Sequence, residues 1–325
     1  MRNDVYPWRD APPGDYAVIG DPIAHSKSPA MHHAAYRALG LGLTYRAIHV
    51  PVGEVDEALD HLREIGYRGV NVTVPHKETA LLWARDSDPV ARETGGANTL
   101  ALSDRFATNT DGPGLYWSLL MNGLAPRRVL LLGAGGTAAT VVLRLTERAE
   151  LAIWNRHPDR ARRLIADLGT RLEATPGPDV RDRDDNPVPT PSATSEERRL
   201  RRRGRLAGVR VLEKPDLRGY DLIVNATPAS LRGEDLGLDW SRADPNATAY
   251  DLAYGVDDAP FLRKARESGL RTLDGRDMLA MQGAFAFAFW GLLGRTSNPT
   301  GAVSKSTPSQ LGLKDLGRIM REALG

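Results

Sequence analysis

Cysteine is missing from this 325-residue sequence. Disulfides, thiolate nucleophiles and cysteine-ligated metals are thereby excluded, and a reducing compartment is the natural setting. Neither sign of charge is in excess: 43 Lys and Arg stand against 41 Asp and Glu, a formal net charge of +2. No global field therefore argues for nucleic acid or a membrane surface as partner. No uninterrupted apolar run reaches the length that spans a bilayer, and the opening MRNDVYPWRD has no apolar core of the kind a secretory signal carries. The expected location is the cytoplasm. The seven histidines, among them His25, His32 and His33, show no H-E-x-x-H or comparable ligand spacing, so no metal is expected. What is present, 41% apolar and 26% charged residues, is the composition of a globular protein long enough for two domains.

One stretch organises the rest. VLLL at 129–132 is a short apolar run that suits a strand buried on both faces of a parallel sheet. Gly133-Ala134-Gly135-Gly136-Thr137-Ala138 follows and matches G-x-G-x-x-G/A. An Ala- and Val-rich segment to about residue 148 suits a helix, and 151–154 suits a second strand. Gly133 permits a tight turn, and Gly135 lets the backbone approach a pyrophosphate. Ala138 keeps the helix near the strand, while the helix N-terminus offers N–H groups to the anion. This order of elements points to a dinucleotide; a plain βα turn is the alternative.

Upstream, residues 1–15 are polar and proline-rich and read as a loose arm. YAVIG at 16–20 reads as a strand running into Asp21-Pro22-Ile23-Ala24-His25-Ser26-Lys27-Ser28-Pro29. Ser28 is the expected N-cap of a helix over 30–39, with Pro29 in its first turn. Ordinary capping and turning would also account for Ser26 and Ser28. LTYRAIHV at 43–50 alternates as a strand, and 53–66 reads as an amphipathic helix on Val55, Leu59, Leu62 and Ile65. At 69–77, Val70, Val72 and Val74 alternate with Asn71 and Thr73, which places that polar pair on one strand face. Pro75 stops the strand, and Lys77 opens a helix whose dipole opposes its charge. A solvated surface lysine is the alternative. GGANTL at 95–100 and TNTDGPG at 108–114 are polar clusters at strand ends, where both sites and turns gather.

Taken in order, GDPIAHSKSP, NVTVPHK, GGANTL, NTDGPG, GAGGTA, NATP and MLAMQGA resemble the motifs of the shikimate dehydrogenase family, over residues 16–293. The resemblance implies an α/β fold of two domains separated by a cleft. Residues 1–112 plus 276–325 would form an N-terminal α/β substrate-binding domain, and 113–275 a Rossmann-type NADP-binding domain. It implies that the hydroxyls of Ser26 and Ser28 hold a substrate carboxylate and that Asn71 and Thr73 contact the ring hydroxyls or that carboxylate. Asn98 would meet a substrate hydroxyl, Gln282 would complete the ring of polar contacts, and Tyr254 resembles a family tyrosine near the substrate. Lys77 and Asp111 are implied as the acid/base pair. Reducing a ketone needs a hydride at carbon and a proton at the developing alkoxide, and a Lys–Asp pair supplies an ammonium for that oxygen and a carboxylate that orients it.

Where NAD-preferring Rossmann proteins place an acidic residue on the ribose 2′-OH, about 20 residues past the glycine loop, this strand ends in Asn155 and Arg156. His157 and Arg160 follow. A 2′-phosphate is a dianion that Arg pairs with well, so NADP is expected in preference to NAD. The family's NADP-dependent members are similar, with Asn-Arg-Thr and a further Arg; His157 stands at the Thr. Asn225-Ala226-Thr227 is implied to line the nicotinamide side, followed by Ala229-Ser230-Leu231 where a Gly-Met pair is more usual. Residues 170–208, rich in Pro and Arg and without an apolar stripe, read as a flexible insertion. Its basic run at 198–205 reads as a solvated loop; contact with nucleic acid or an acidic partner is the alternative.

Phe285, Phe287 and Phe289 alternate like a strand, but length, Ala content and position in the resemblance assign a helix to 278–293, and 311–324 is a second candidate. The expected function is NADPH-dependent reduction of 3-dehydroshikimate to shikimate, as a monomer or homodimer. A quinate or aminoshikimate dehydrogenase using NAD is the first alternative. A non-catalytic NADP-binding or RNA-contacting protein is the second, opposed by the intact Lys77 and Asp111.

Overall fold

The computed structural model describes residues 4–175, 202–256, 258–293, 296–297, 303–304 and 312–325. The chain divides into two units, Met1–Ala91 with Gly96–Met121 and Arg276–Gly325, and Arg92–Gly95 with Asn122–Gly275.

The first unit is built on a seven-stranded sheet. Its strands are β1 (Val5–Pro7), β2 (Tyr16–Gly20), β3 (Tyr45–His49), β4 (Gly69–Val72), β5 (Asp86–Ser87), β6 (Thr99–Ala101) and β7 (Phe106–Thr108). They lie in the order β1-β3-β2-β4-β6-β7-β5. β1 through β4 pair in parallel, whereas β6 runs antiparallel to both β4 and β7. The antiparallel turn matters for function. It brings the amino end of β6 and the carboxyl end of β7 beside the carboxyl ends of β2 and β4, so the loops from all four gather at one sheet end.

Helices α1 (Ser28–Ala38), α2 (Val55–Glu64), α3 (Lys77–Trp83), α4 (Pro89–Thr94) and α5 (Asp111–Met121) come from the N-terminal part of the chain. α2 buries Val55, Ala58, Leu59 and Leu62, close to the expected stripe. The expected start of a cofactor domain at 113 falls inside α5. That helix packs along a later one so closely that a Cβ at Gly114 would lie 2.9 Å from the Gln282 backbone nitrogen, and the change of unit comes at Asn122 instead.

The N-terminal arm is not loose. β1 pairs with β3, and Trp8 tucks into the core at 8% exposure with its indole N–H donating to Glu54 Oε2 at 2.7 Å. Arg9 lies over the Trp8 ring and pairs with the same carboxylate at 2.8 Å. Burial of one large ring decides the path of a segment that composition assigns to a loop.

The second unit is a six-stranded, wholly parallel sheet. β8 (Arg128–Leu132), β9 (Glu150–Trp154), β10 (Arg210–Leu212), β11 (Leu222–Asn225), β12 (Thr248–Asp251) and β13 (Arg271–Leu273) follow one another in sequence. Their spatial order is β10-β9-β8-β11-β12-β13, the doubly wound order of dinucleotide-binding sheets. Val129 to Leu132 are fully buried, each contributing about 1.5–3 kcal/mol by leaving water. α6 (Gly136–Leu145) crosses from β8 to β9, and α7 (Pro158–Ala174) follows β9.

Part of the expected insertion is regular structure. Thr170 lies in α7, and a helical stretch, α8, occupies 202–207. There Arg202 binds Glu93 at 2.8 Å and Glu147 at 2.8 Å, so this end of the basic run is ion-paired and not a solvated loop. Burial works against the charge on Arg202, but the two carboxylates outweigh it and raise its pKa. The remainder of the insertion, 176–201, lies outside the described residues. The connection from β11 to β12 holds two short 3₁₀ turns, Ser230–Arg232 and Trp240–Arg242, and α9 (Pro260–Glu267) precedes β13.

α10 (Arg276–Phe289) and α11 (Leu313–Glu322) return to the first unit. The period-two phenylalanines are helical after all, because two residues along a helix is about 200° of rotation. Phe287 faces His32 and Tyr36, whereas Phe289 meets Phe106 at 6.1 Å. β14 (Thr296–Ser297) and β15 (Val303–Ser304) form a short antiparallel pair. No helix among the described residues is long and apolar enough to cross a membrane.

Candidate active site

At the shared sheet end of the first unit, the loop after β4 carries Lys77 at the start of α3, and the loop after β7 carries Asp111 at the start of α5. Their side chains meet: Lys77 Nζ donates to Asp111 Oδ2 at 2.6 Å, with the two side chains 20% and 10% exposed. Asn98, two residues past the GG pair and just before β6, donates from Nδ2 to Asp111 Oδ1 at 2.7 Å. The Asn98 amide can be oriented without ambiguity. Its Oδ1 accepts the Thr110 backbone N–H at 2.8 Å, and a backbone N–H only donates. Both Asp111 oxygens therefore accept, the arrangement an ionised carboxylate requires. Asn109 steadies the same turn by accepting from Asp111 N–H and donating to Gly96 O.

Gln282, brought in by α10, places Oε1 3.4 Å from both Asn98 Nδ2 and Thr110 Oγ1, and its own Nε2 donates to Leu279 O. Asn71 joins the same network. Tyr45 O–H donates to its Oδ1 at 2.7 Å, and its Nδ2 donates to Asn98 O at 3.2 Å and Thr99 Oγ1 at 3.0 Å. Both amide hydrogens are engaged inside the protein, leaving only a lone pair on Oδ1 for a ligand. Thr99 passes the contact on, donating to Asn98 Oδ1 at 3.0 Å. A continuous run of donors and acceptors thus leads from Tyr45 through Asn71, Thr99 and Asn98 to Asp111. Thr99 and Thr110 lie in polar clusters marked by sequence but carried no assigned role there, and Tyr45 belongs to an ordinary-looking strand.

Thr73 lies just past β4, half-buried, and packs so near the end of β2 that a Cβ at Gly20 would meet its methyl at 2.5 Å. Ser26 and Ser28 are buried in the neighbouring loop. Ser28 is not the N-cap: it is the first residue of α1, Lys27 holds the cap position, and Ser26 Oγ accepts the Ser28 N–H at 3.3 Å. The Ser26 bond is a local turn of the loop, and α1 starts without a side-chain cap.

In the second unit, Gly133 takes φ +111°, in the region that favours glycine, and sits 3.0 Å (from its built Cβ) below Ala226 O. Gly135 holds the N-cap position of α6 and brings no side-chain cap, and a Cβ built at Gly135 or Gly136 meets nothing within 4 Å. Ala134 and Thr137 are half-buried between them, and Ala138 is fully buried against β8. Uncapped N–H groups under open space are what a pyrophosphate needs. Asn155 donates from Nδ2 to His157 O at 2.9 Å, which shapes the entry to α7, while Arg156, His157 and Arg160 are exposed. Arg156 is 69% exposed and lies 3.8 Å from Glu234. The residues present fit an NADP: an open glycine loop, then arginines past β9.

At the end of β11, Asn225 Oδ1 accepts from Thr227 N–H and Oγ1 at 3.0 and 2.7 Å, so the loop through Ala226 is tied to its own strand. Tyr254 follows β12 in this unit, half-buried, and burial pushes its phenol pKa up.

Residues 18–100 match the family model described as the shikimate dehydrogenase substrate binding domain. A shikimate dehydrogenase (NADP(+)) of Moorella thermoacetica is 35% identical over 323 residues, covering 96% of this chain and 94% of that protein. One from Methylobacillus flagellatus is 38% identical over 85% of this chain and 93% of its own. The crystal structure of shikimate 5-dehydrogenase from Thermus thermophilus in complex with NADP(H) and shikimate superposes with a TM-score of 0.70 at 30% identity, covering 95% of this chain and 99% of that one.

Proposed function

The chain belongs to the shikimate dehydrogenase family, and on that premise we propose that it reduces 3-dehydroshikimate to shikimate with NADPH, reversibly, in chorismate and aromatic amino-acid biosynthesis. The observation that carries the reading is the Lys77–Asp111 pair at 2.6 Å, closed on its far side by Asn98. A ketone being reduced gathers negative charge on oxygen, and a donor already held in place stabilises that charge without reorganisation. Lys77 Nζ gives its proton to this oxygen. Asp111 holds the ammonium by Oδ2 and is itself held by Asn98, so the donor is fixed before the substrate arrives. In the oxidative direction the same amine takes the hydroxyl proton back. NADPH held by the second unit would supply the hydride for reduction, and NADP+ would take it back in oxidation.

In this reading the first unit binds substrate and the second binds NADP. Ser26 and Ser28 donate hydroxyls to the carboxylate, Thr73, Asn98 and Gln282 meet the ring hydroxyls, and Tyr254 adds a phenol. Asn71 meets a ring hydroxyl or the carboxylate through the lone pair left on its Oδ1, while its amide N–H groups brace Asn98 and Thr99. Residues 133–138 take the pyrophosphate, Asn155, Arg156, His157 and Arg160 the adenosine 2′-phosphate, and Asn225-Ala226-Thr227 the nicotinamide side. The protein acts in the cytoplasm as a monomer or homodimer.

The test is initial rates with shikimate and with quinate, each with NADP and with NAD. Shikimate with NADP should be the fastest combination. Activity on none of the four overturns the proposal, and quinate with NAD as the best pair replaces its substrate. Lys77→Ala should lower turnover by orders of magnitude while NADP still binds; near-normal turnover removes Lys77 from the chemistry.

A further inference from the structure

The turn after the NATP loop is anchored on one side and displays charge on the other. Ser230 and Asp251 are each 1% exposed. Ser230 Oγ donates to Asp251 Oδ2, and Asn225 Nδ2 lies 3.1 Å from both oxygens. Burial pushes the Asp251 carboxyl up, opposed by the hydrogen bonds it accepts from Ser230, Ala253 N–H and Asn225. The 3₁₀ turn Ser230–Arg232 closes at Gly233, whose φ of +65° reverses the chain, and Glu234 N–H returns to Ala229 O at 2.9 Å. Arg232 and Glu234 therefore project from a turn whose base is pinned to β11 and β12.

What they project toward is the strand end that carries Arg156. Glu234 sits between two guanidinium groups, Arg156 at 3.8 Å and Arg232 at 3.7 Å, with side-chain exposures of 69% and 65% for the arginines and 40% for the glutamate. Ion pairs this exposed contribute little in water, so the carboxylate is easily displaced. A phosphate dianion displaces a single carboxylate from paired arginines, because it brings twice the charge and more acceptor oxygens. A ribose hydroxyl cannot displace it, but can donate to it, as to the acidic residue of NAD-binding folds.

We propose that Arg232 is a further ligand of the cofactor's 2′-phosphate and that Glu234 sets the discrimination between NADP and NAD. Glu234 bridges the two arginines in the free protein. The 2′-phosphate takes its place on both, whereas a 2′-hydroxyl leaves it there as an acceptor. Glu234 thus holds the NADP preference below what the arginines alone would give. This inference rests on the reading of Arg156 as a 2′-phosphate residue.

The test is calorimetric binding of adenosine 2′,5′-bisphosphate and of 5′-AMP to the full chain and to Glu234→Gln, Arg232→Gln and Arg156→Ala. Removing one negative charge beside a dianion at an exposed site should tighten the bisphosphate about three- to tenfold in Glu234→Gln, with 5′-AMP bound somewhat more weakly because its 2′-hydroxyl then donates to a neutral amide oxygen instead of a carboxylate. Arg232→Gln should weaken the bisphosphate by a similar factor and leave 5′-AMP unchanged, which also shows that the variant is folded. Wild-type binding of both ligands by the Glu234 and Arg232 variants, with Arg156→Ala impaired, overturns this inference and leaves the Arg156 reading standing. Wild-type bisphosphate binding by Arg156→Ala overturns both.

Discussion

His32 should make this protein acid-sensitive by a calculable amount. It is fully buried, stacked on Tyr45 with ring centroids 4.0 Å apart and on Phe287 at 5.4 Å. Neither ring nitrogen has a hydrogen-bond partner among the described residues. Burial first, and then the neighbouring His33, lowers its pKa from 6.5 to about 3. The unfolded chain therefore takes up a proton near pH 6.5 that the folded chain refuses until about pH 3. Across that window the unfolded state binds more protons, so stability falls as pH falls, by about 1.4 kcal/mol per unit once pH is well below the unfolded value. From pH 7 to pH 5 the loss integrates to about 2 kcal/mol. His32→Phe keeps an aromatic ring in the stack and removes the proton site. Equilibrium urea unfolding at pH 7 and pH 5, with hydrogen exchange of α1 amides reporting on the first unit, should show the wild type losing about 2 kcal/mol more than the variant. The variant's absolute stability does not enter, since only the difference in slope is read. Equal losses for both proteins would refute the assignment of a neutral, proton-refusing His32.

Three further outcomes follow from the packing and charge of other sites. Gly114→Ala would drive a Cβ to 2.9 Å from Gln282 Cβ and 3.0 Å from Met278 O. The helices α5 and α10 must then separate at a cost of about 1–3 kcal/mol, seen as a lower melting temperature together with a higher KM as Gln282 moves. A variant as stable and as active as wild type would contradict that close approach. Arg202→Leu removes a charge partner from Glu93 and Glu147; with Arg202 37% exposed, the loss should be about 1–3 kcal/mol after allowing for solvent screening. An unchanged urea midpoint would show that α8 contributes nothing there. Arg156→Ala should cut the NADP-to-NAD ratio of kcat/KM, and an unchanged ratio would take Arg156 out of cofactor selection.

Part of the candidate site was legible because its residues are local in sequence, and the structure brings Lys77, Asn98 and Asp111 together. Ser26 and Ser28, Lys77, Asn98 and Asp111 each sit within a few residues of a strand end, and the strand-loop-helix around Gly133 declares itself by glycine placement. The structure added what depends on partners far along the chain. Trp8 is core because Glu54 receives its indole, and no local pattern in a polar, proline-rich arm says so. Asn71 is a support for Asn98 because the antiparallel register sets it opposite Thr99, a fact of pairing and not of spacing. The Phe285, Phe287 and Phe289 series shows period misleading outright, since a helix buried on several sides can carry aromatics two apart. Arg202 lies in a run that composition assigns to solvent, and only the carboxylates of Glu93 and Glu147 make it structural. Glu234 is separated from Arg156 by more than a full strand-helix repeat, so its place beside that guanidinium was invisible before folding.

The first unit is discontinuous, and this has a consequence for how the protein is made. Asn98 meets Gln282 across 184 residues of chain, and α5 has no α10 to pack on until the whole second unit has been synthesised. A ribosome releases this polypeptide with its second sheet able to form first and the Lys77–Asp111 end of the first unit still waiting for a helix. A chain broken off before Arg276 would accordingly keep the strands that carry Gly133 and Arg156 while leaving the apolar faces of α1 and α5 uncovered. Such a fragment is a candidate for chaperones and proteases, so loss of the last 50 residues should show in the cell as lost protein before it shows as lost catalysis.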